Sequence, residues 1–264
     1  MIGIFFIVNV FLFVSYITAM KTGTAISEDA INNTALILAQ NNVIIDKSII
    51  PKKPHDLRIF DFVNKYESPD AAANHFWDVA HKEGLDYFNP ENVTTGSDFF
   101  EYKSNVLPTD NTFNESTALS YAKRTVSLLG LDSFMTLESS LKKTDYGYSV
   151  SFNQVYEGTA VLDSCLTVEL SGGSITRIFG ENWLGDTITG GGMSSIRAAT
   201  EILVNFAVEN EHTDKVIIND VKLGYFIGGR NGIKSTVTVV PVWMLSTNTK
   251  GILYYDARNG DLLK

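Results

Sequence analysis

The first apolar feature of the chain is continuous rather than periodic. Ile2 to Met20 reads IGIFFIVNVFLFVSYITAM, interrupted only by Asn9, Ser15 and Thr18, with no charge before Lys21. A helix rising about 1.5 Å per residue would carry that run roughly 28 Å, close to the thickness of a bilayer core. A soluble amphipathic helix would show a polar stripe, and this run has none. The pattern predicts a transmembrane anchor at residues 1–20. A cleaved signal peptide is the competing expectation, since Ile2 to Val14 has the length of a signal core and Gly23 with Ala25 offers a small-residue cleavage site. Either way the rest of the chain is expected outside the cytoplasm. No Lys or Arg precedes the run, against the positive-inside tendency.

Beyond the anchor the apolar positions become periodic. Ile31, Ala35 and Leu38 fall on one helical face, and Ser27 is placed to cap a helix running to Gln40, with Glu28 and Asp29 in its first turn. Ser68, Pro69 and Asp70 give a second start signal, with Ala72, Phe76, Val79 and Ala80 as the buried face and Gly84 as the stop. A third helix is expected from Glu115 to Leu129, capped by Asn114, with Ala118, Ala122, Val126 and Leu129 as its stripe. A fourth is expected after Ser194, with Ile196, Ala199, Leu203 and Phe206 at helical spacing and an end near Asn210.

Strand-like runs follow the helices: 43–50, 57–66, 99–103, 134–142, 147–156, 160–170, 174–179, 216–227, 235–245 and 252–256. Glu157-Gly158, Gly172-Gly173 and Asn259-Gly260 read as hairpin turns. Helices leading into strand hairpins predict an α+β protein, with antiparallel sheets and helices packed on one face. The polar stretch 104–114 contains Pro108. It suggests an N-terminal α+β subdomain over 21–108 and a C-terminal one over 109–264. Gly190, Gly191 and Gly192 mark residues 185–193 as a flexible loop.

The chain has 264 residues, 44% hydrophobic and 19% charged, which places it among globular rather than disordered proteins. A net charge of -9, without a dense basic patch, argues against nucleic acid as a partner. The same charge disfavours binding to anionic lipid headgroups, so membrane attachment rests on apolar insertion. The single cysteine, Cys165, cannot form an internal disulfide and reads as a small apolar strand residue.

Catalytic and metal signals are sparse. The histidines are His55, His75, His81 and His212. His75 and His81 flank Asp78, but a step of six residues sets two helical side chains about 120° apart, so they do not share a face. Neither HExxH nor GxSxG occurs, and Gly190–Gly192 and Gly228–Gly232 fit no phosphate-loop pattern. Glu181, Asp186 and Asp163 carry no recognisable pairing in sequence. The expectation is a protein that is not an enzyme and holds no metal or cofactor. Tyr146, Tyr148, Tyr156, Trp183, Trp243, Tyr254 and Tyr255 lie on or beside strands, where core packing is expected of most.

Several phrases, taken in order, resemble a known family: the N-terminal apolar run, ISEDAINNTALILAQNNVIID, SFNQVYEGTAVLDSCLTVEL, GENW, and the closing PVWMLSTNTKGILYYDARNGDLLK. Together they resemble the YycI (WalI) regulatory proteins of Gram-positive bacteria and, more distantly, YycH. The ending Tyr255 to Gly260 also looks like the close of a PepSY-type α-β-β repeat. The resemblance implies a single-pass protein of the cell membrane with an extracytoplasmic bulk. It implies association with a YycH-type protein and a WalK-type sensor histidine kinase, largely through the transmembrane helix, in a two-component system controlling cell-wall metabolism. Gly3, Asn9 and Ser15 are the candidate transmembrane contacts, since small and polar side chains mediate helix packing in lipid, although steps of six place them off a shared face. The alternative is a secreted or tethered PepSY-type binding module that restrains a protease or holds a wall ligand.

Overall fold

The computed structural model describes residues 25–53, 55–63, 74, 77–79, 81, 82, 89–96, 99–105, 112–132, 136–183, 188–209, 214–228 and 236–264. In chain order its elements are α1 (Glu28–Gln40), β1 (Val43–Ile45), a 3-10 turn (Lys47–Ile49), β2 (Leu57–Val63), a second 3-10 turn (Pro90–Asn92), β3 (Val93–Thr95), β4 (Phe99–Lys103), α2 (Glu115–Leu128), β5 (Thr136–Lys143), β6 (Gly147–Tyr156), β7 (Thr159–Ala160), β8 (Cys165–Ser171), β9 (Ser174–Glu181), β10 (Ile188–Ser194), α3 (Ala199–Glu209), β11 (Val216–Phe226), β12 (Thr236–Thr247) and β13 (Gly251–Asp256). Residues 74, 77–79, 81 and 82 are helical, where the second helix is expected, but its caps and stop lie outside the described residues. The result is α+β, with two mostly antiparallel sheets and few helices.

The chain divides into two compact units. The first comprises residues up to Arg58, Met193–Leu223 and Pro241–Lys264; the second comprises Ile59–Gly192 and Gly224–Val240. The boundary expected near residue 108 falls inside the second unit. The reason is sheet pairing: β4, before it, is hydrogen-bonded to β9, after it, and the Ser104 N–H donates to the Thr176 carbonyl at 2.9 Å.

In the first unit β1 runs parallel to β11, and β12 pairs antiparallel with β13. Ile31 and Leu38 of α1 and Ala199, Leu203 and Phe206 of α3 cover Val43, Val216, Ile218, Trp243, Leu245 and Tyr255. The Ser27 hydroxyl caps α1 by accepting the Ala30 N–H. Thr34 rather than Ala35 is the third buried residue of α1, because its hydroxyl donates to the Ala30 carbonyl and so loses no hydrogen bond on burial. The fourth helix starts at Ala199, later than its periodicity suggests. Backbone at Arg197 is committed elsewhere: its N–H donates to the Ala257 carbonyl (2.8 Å) and its carbonyl accepts the Trp243 indole (2.9 Å).

In the second unit one sheet runs β3-β4-β9-β8-β6-β5, with β7 on β6. Tyr102, Val150, Phe152, Leu166, Val168 and Ile178 face α2, whose stripe Ala118, Ala122, Val126 and Leu129 is fully buried. Asn114 and Thr117 close a capping box on α2, and Gly130 follows at φ 63°. The expected strand over 160–170 is two strands, because residues 161–164 turn to bond elsewhere. From residue 188 on, the loop expected over 185–193 is instead strand β10 (Ile188–Ser194), beside β2. A side chain at Gly191 would sit 3.0 Å from the Ile59 carbonyl, and φ is 118° there, so the glycines permit a close strand contact instead of breaking one.

Among the described residues no helix is long and apolar enough to cross a membrane. Residues 1–20, with Gly3, Asn9 and Ser15, lie outside the described residues.

Candidate functional site

Four surface or polar arrangements could bear function. The first is built by the turn between β7 and β8. Its Asp163 carboxylate accepts the Ile227 and Gly228 N–H groups, each at 2.9 Å, and the Asn182 amide at 3.3 Å. Leu162 N–H donates to the Tyr225 carbonyl at 2.8 Å, and Val161 bridges Tyr225 in parallel. Gly224 allows this approach, since a Cβ there would lie 2.8 Å from the Ala160 carbonyl. Beneath it the Ser164 hydroxyl donates to Gln154 at 2.9 Å, with both side chains buried. Three donors occupy Asp163, so it is a clamp on the end of β11. Asn182, at φ 48°, leaves its Oδ1 buried without a hydrogen-bond partner among the described residues.

The second is a charged row on the face of the large sheet away from α2. Arg177 Nε donates to Glu101 at 2.6 Å and its Nη1 to Glu169 at 3.1 Å, while its guanidinium lies 4.9 Å from the Phe179 ring centre. Burial opposes ionisation of Glu101, but hydrogen bonds from Lys103 and Arg177 outweigh it and hold the carboxyl below its ordinary range. The pairing is reciprocal: Glu101 and Glu169 raise Arg177 further above its ordinary value against the opposing effect of burial. A carboxylate held ionised in this way is a stable surface charge rather than a general acid.

The third is the C-terminal turn. Asp256, 3% exposed, accepts from the Arg258 N–H (2.9 Å) and Nε (2.8 Å). Gly260 N–H returns to the Asp256 carbonyl, and Asp256 N–H donates to the Asp261 carbonyl, each at 2.8 Å. The chain therefore folds back along β13, and Tyr255 bridges Leu262 in antiparallel fashion. The Asn259-Gly260 turn expected from sequence is present, with Gly260 at φ 89°.

The fourth is a cleft of about 300 Å³ lined by Lys123, Val126, Asp132, Leu137 and Phe152, between α2 and strands β5 and β6. Among the described residues its lining is three apolar side chains with one cation, Lys123, and one anion, Asp132.

The remaining candidates take ordinary places. Trp183 and Trp243 are core residues whose indoles donate to the carbonyls of Leu131 and Arg197, both at 2.9 Å. Tyr148, Tyr254 and Tyr255 are buried, and Tyr146 is exposed at a hairpin tip. Cys165 is half-buried, with its sulfur 3.6 Å from the Thr167 hydroxyl. His81 stacks on Trp77, with ring centres 5.6 Å apart. Among the described residues no three His, Cys, Asp or Glu side chains converge on a metal-sized space. Exposed apolar side chains do converge: Ile44 and Ile217 lie opposite one another on β1 and β11, on the face away from the helices. Sequence reasoning named Asp163 without its role and missed Glu101, Arg177 and Asp256. Only the DxR spacing of Asp256 and Arg258 gave any signal, since the other pairings span long stretches of chain.

The fold defines the class: a two-unit α+β protein with two mostly antiparallel sheets and few helices. No family model matches the sequence, and no curated protein does. An uncharacterized protein from Eubacterium rectale, known from a crystal structure, is similar over 88% of this chain and 98% of its own, with a TM-score of 0.50 and 11% identity. The C-terminal domain of YpeB from Bacillus megaterium aligns over 92% of this chain and 97% of its own, with a TM-score of 0.38 and 12% identity. The first is a likeness of fold alone.

Proposed function

We propose that this chain is a non-catalytic regulator held at the outer face of a cell membrane by residues 2–20. In this reading it modulates a WalK-type sensor histidine kinase in cell-wall control, together with a YycH-type partner. The observation that carries the reading is the uncharged apolar run of bilayer length joined to an acidic α+β body. The family-like phrases add to it. The body also fits a binding role better than a catalytic one, because the half-buried Asp163 and the buried Asp256 are committed to holding backbone turns. Regulation would work by population shift. Helices side by side in lipid favour one of two kinase arrangements, and a differential contact on the order of 3 to 5 kcal/mol suffices. Gly3, Asn9 and Ser15 are the proposed contacts.

A PepSY-type binding module is the second reading. It is favoured by the order of a helix followed by antiparallel strands in each unit, and by the fold-back at Asn259-Gly260. Affinity capture of the full chain from native membranes separates the two. Recovery of a sensor kinase and a YycH-type protein, lost when residues 1–20 are removed, is the expected result. Recovery of a protease by the chain with and without those residues would replace the first reading with the second.

A further inference from the structure

Strand β5 ends the large sheet on one side, and its outer edge is open among the described residues. Its pairing phase follows from two bonds. Thr144 N–H donates to the Gly147 carbonyl across the β5–β6 turn, and Val161 N–H donates to the Gln154 carbonyl on the other side of β6. With the register Thr136↔Val155 through Lys143↔Tyr148, the even residues of β5 bond to β6. The backbone groups of Leu137, Ser139, Leu141 and Lys143 therefore point outward. The exposed side chains between them are Glu138, Ser140 and Lys142.

We propose that this edge pairs antiparallel with the same edge of a second copy, about a two-fold axis through Ser140. Only a second copy makes the charges self-complementary. With Ser140 opposite its own equivalent, Glu138 of each protomer stands opposite Lys142 of the other, and both contacts form at once. Moving the axis to Glu138 or to Lys142 sets like charges face to face, and axes at Ser139 or Leu141 leave both charges opposite uncharged residues. The outward backbone groups come into phase in the same register: Ser139 with Leu141, and Leu137 with Lys143, exchange hydrogen bonds in both directions. Neither Glu138 nor Lys142 forms an ion pair within its own protomer among the described residues. At eight residues β5 is long for an unpaired edge, which natural proteins usually shorten, twist or cover. The inference does not depend on the kinase reading.

Directly opposed residues in a non-hydrogen-bonded antiparallel pair have Cα atoms about 4.5 Å apart, within the span of a disulfide. The experiment uses the full chain in membranes, with Cys165→Ser as background. Ser140→Cys is expected to give a disulfide-linked dimer under mild oxidation, while Asn153→Cys, on the interior strand β6, gives none. Glu138→Lys added to Ser140→Cys is expected to reduce the dimer at least about fivefold, and Lys142→Glu added to that pair to restore it. Three results would overturn the proposal: no Ser140→Cys dimer, equal cross-linking at Asn153→Cys, or indifference to the charge reversal. A Ser140→Cys adduct to a different protein would also overturn it, by naming another occupant.

Discussion

Asp256 illustrates how a single carboxylate can close a domain. It is almost completely buried, yet burial does not neutralise it, because Arg258 and two backbone N–H groups stabilise the charge and leave its pKa below the ordinary value. A carboxylate with a depressed folded-state pKa adds stability that is fully present above the unfolded value, about 4. That stability is lost as pH falls through the folded value. Asp256→Asn is therefore expected to cost about 2 kcal/mol at pH 7, the scale of a charged hydrogen bond. The gap between variant and parent should narrow as pH drops below about 4, where the parent loses its charge too. Urea denaturation at pH 7 and pH 3 measures both quantities; an undiminished gap at pH 3 would assign the cost to packing. The Asn259-Gly260 turn was readable in sequence because its backbone needs are local. The Asp256 anchor was not, because its burial depends on how β13 sits against β12.

At the scale of elements, local signals were reliable and tertiary ones were not. Asn114 and Ser27 mark the starts of α2 and α1 in sequence, since each cap satisfies an N–H three residues on, at Thr117 and Ala30. A strand with alternating burial along most of its length, such as β6, was equally legible. The glycine-rich β10 misled because glycine marks both turns and close backbone approach, and only the neighbouring β2 decides between them. The run Val43 to Ile50 was cut short by Asp46, whose carboxylate accepts the Ser48 N–H and starts a 3-10 turn. Of the candidate sites, the sequence offered Gly3, Asn9 and Ser15 and the local Asn259-Gly260 turn, but not the Asp163 and Arg177 arrangements, which join residues far apart in the chain. Glycine contrasts give a sharp test of the sheet. A Cβ at Gly147 would lie 1.8 Å from the Leu170 carbonyl of β8, whereas Gly158 has open space and only a positive φ of 79°. Gly147→Ala is expected to cost about 3 kcal/mol or more, since backbone must move. Gly158→Ala should cost roughly 1–2 kcal/mol of left-handed strain. Urea midpoints at unchanged slope rank the two, and equal costs would contradict the β6–β8 contact.

For the whole molecule, each unit has its own buried core, one under α1 and α3 and one under α2. What the sequence adds is the apolar run ahead of them, and the functional account depends on that run staying in the chain. The measurement that tests it most directly is made on membranes of a Gram-positive cell expressing the full sequence. They are washed with carbonate, treated with protease on intact cells, and the mature N-terminus is read by mass spectrometry. The account predicts that residues 2–20 remain attached and resist extraction, while the body from about residue 25 onward is cut from outside. A mature chain beginning near Ile26 and recovered free in the medium would contradict it.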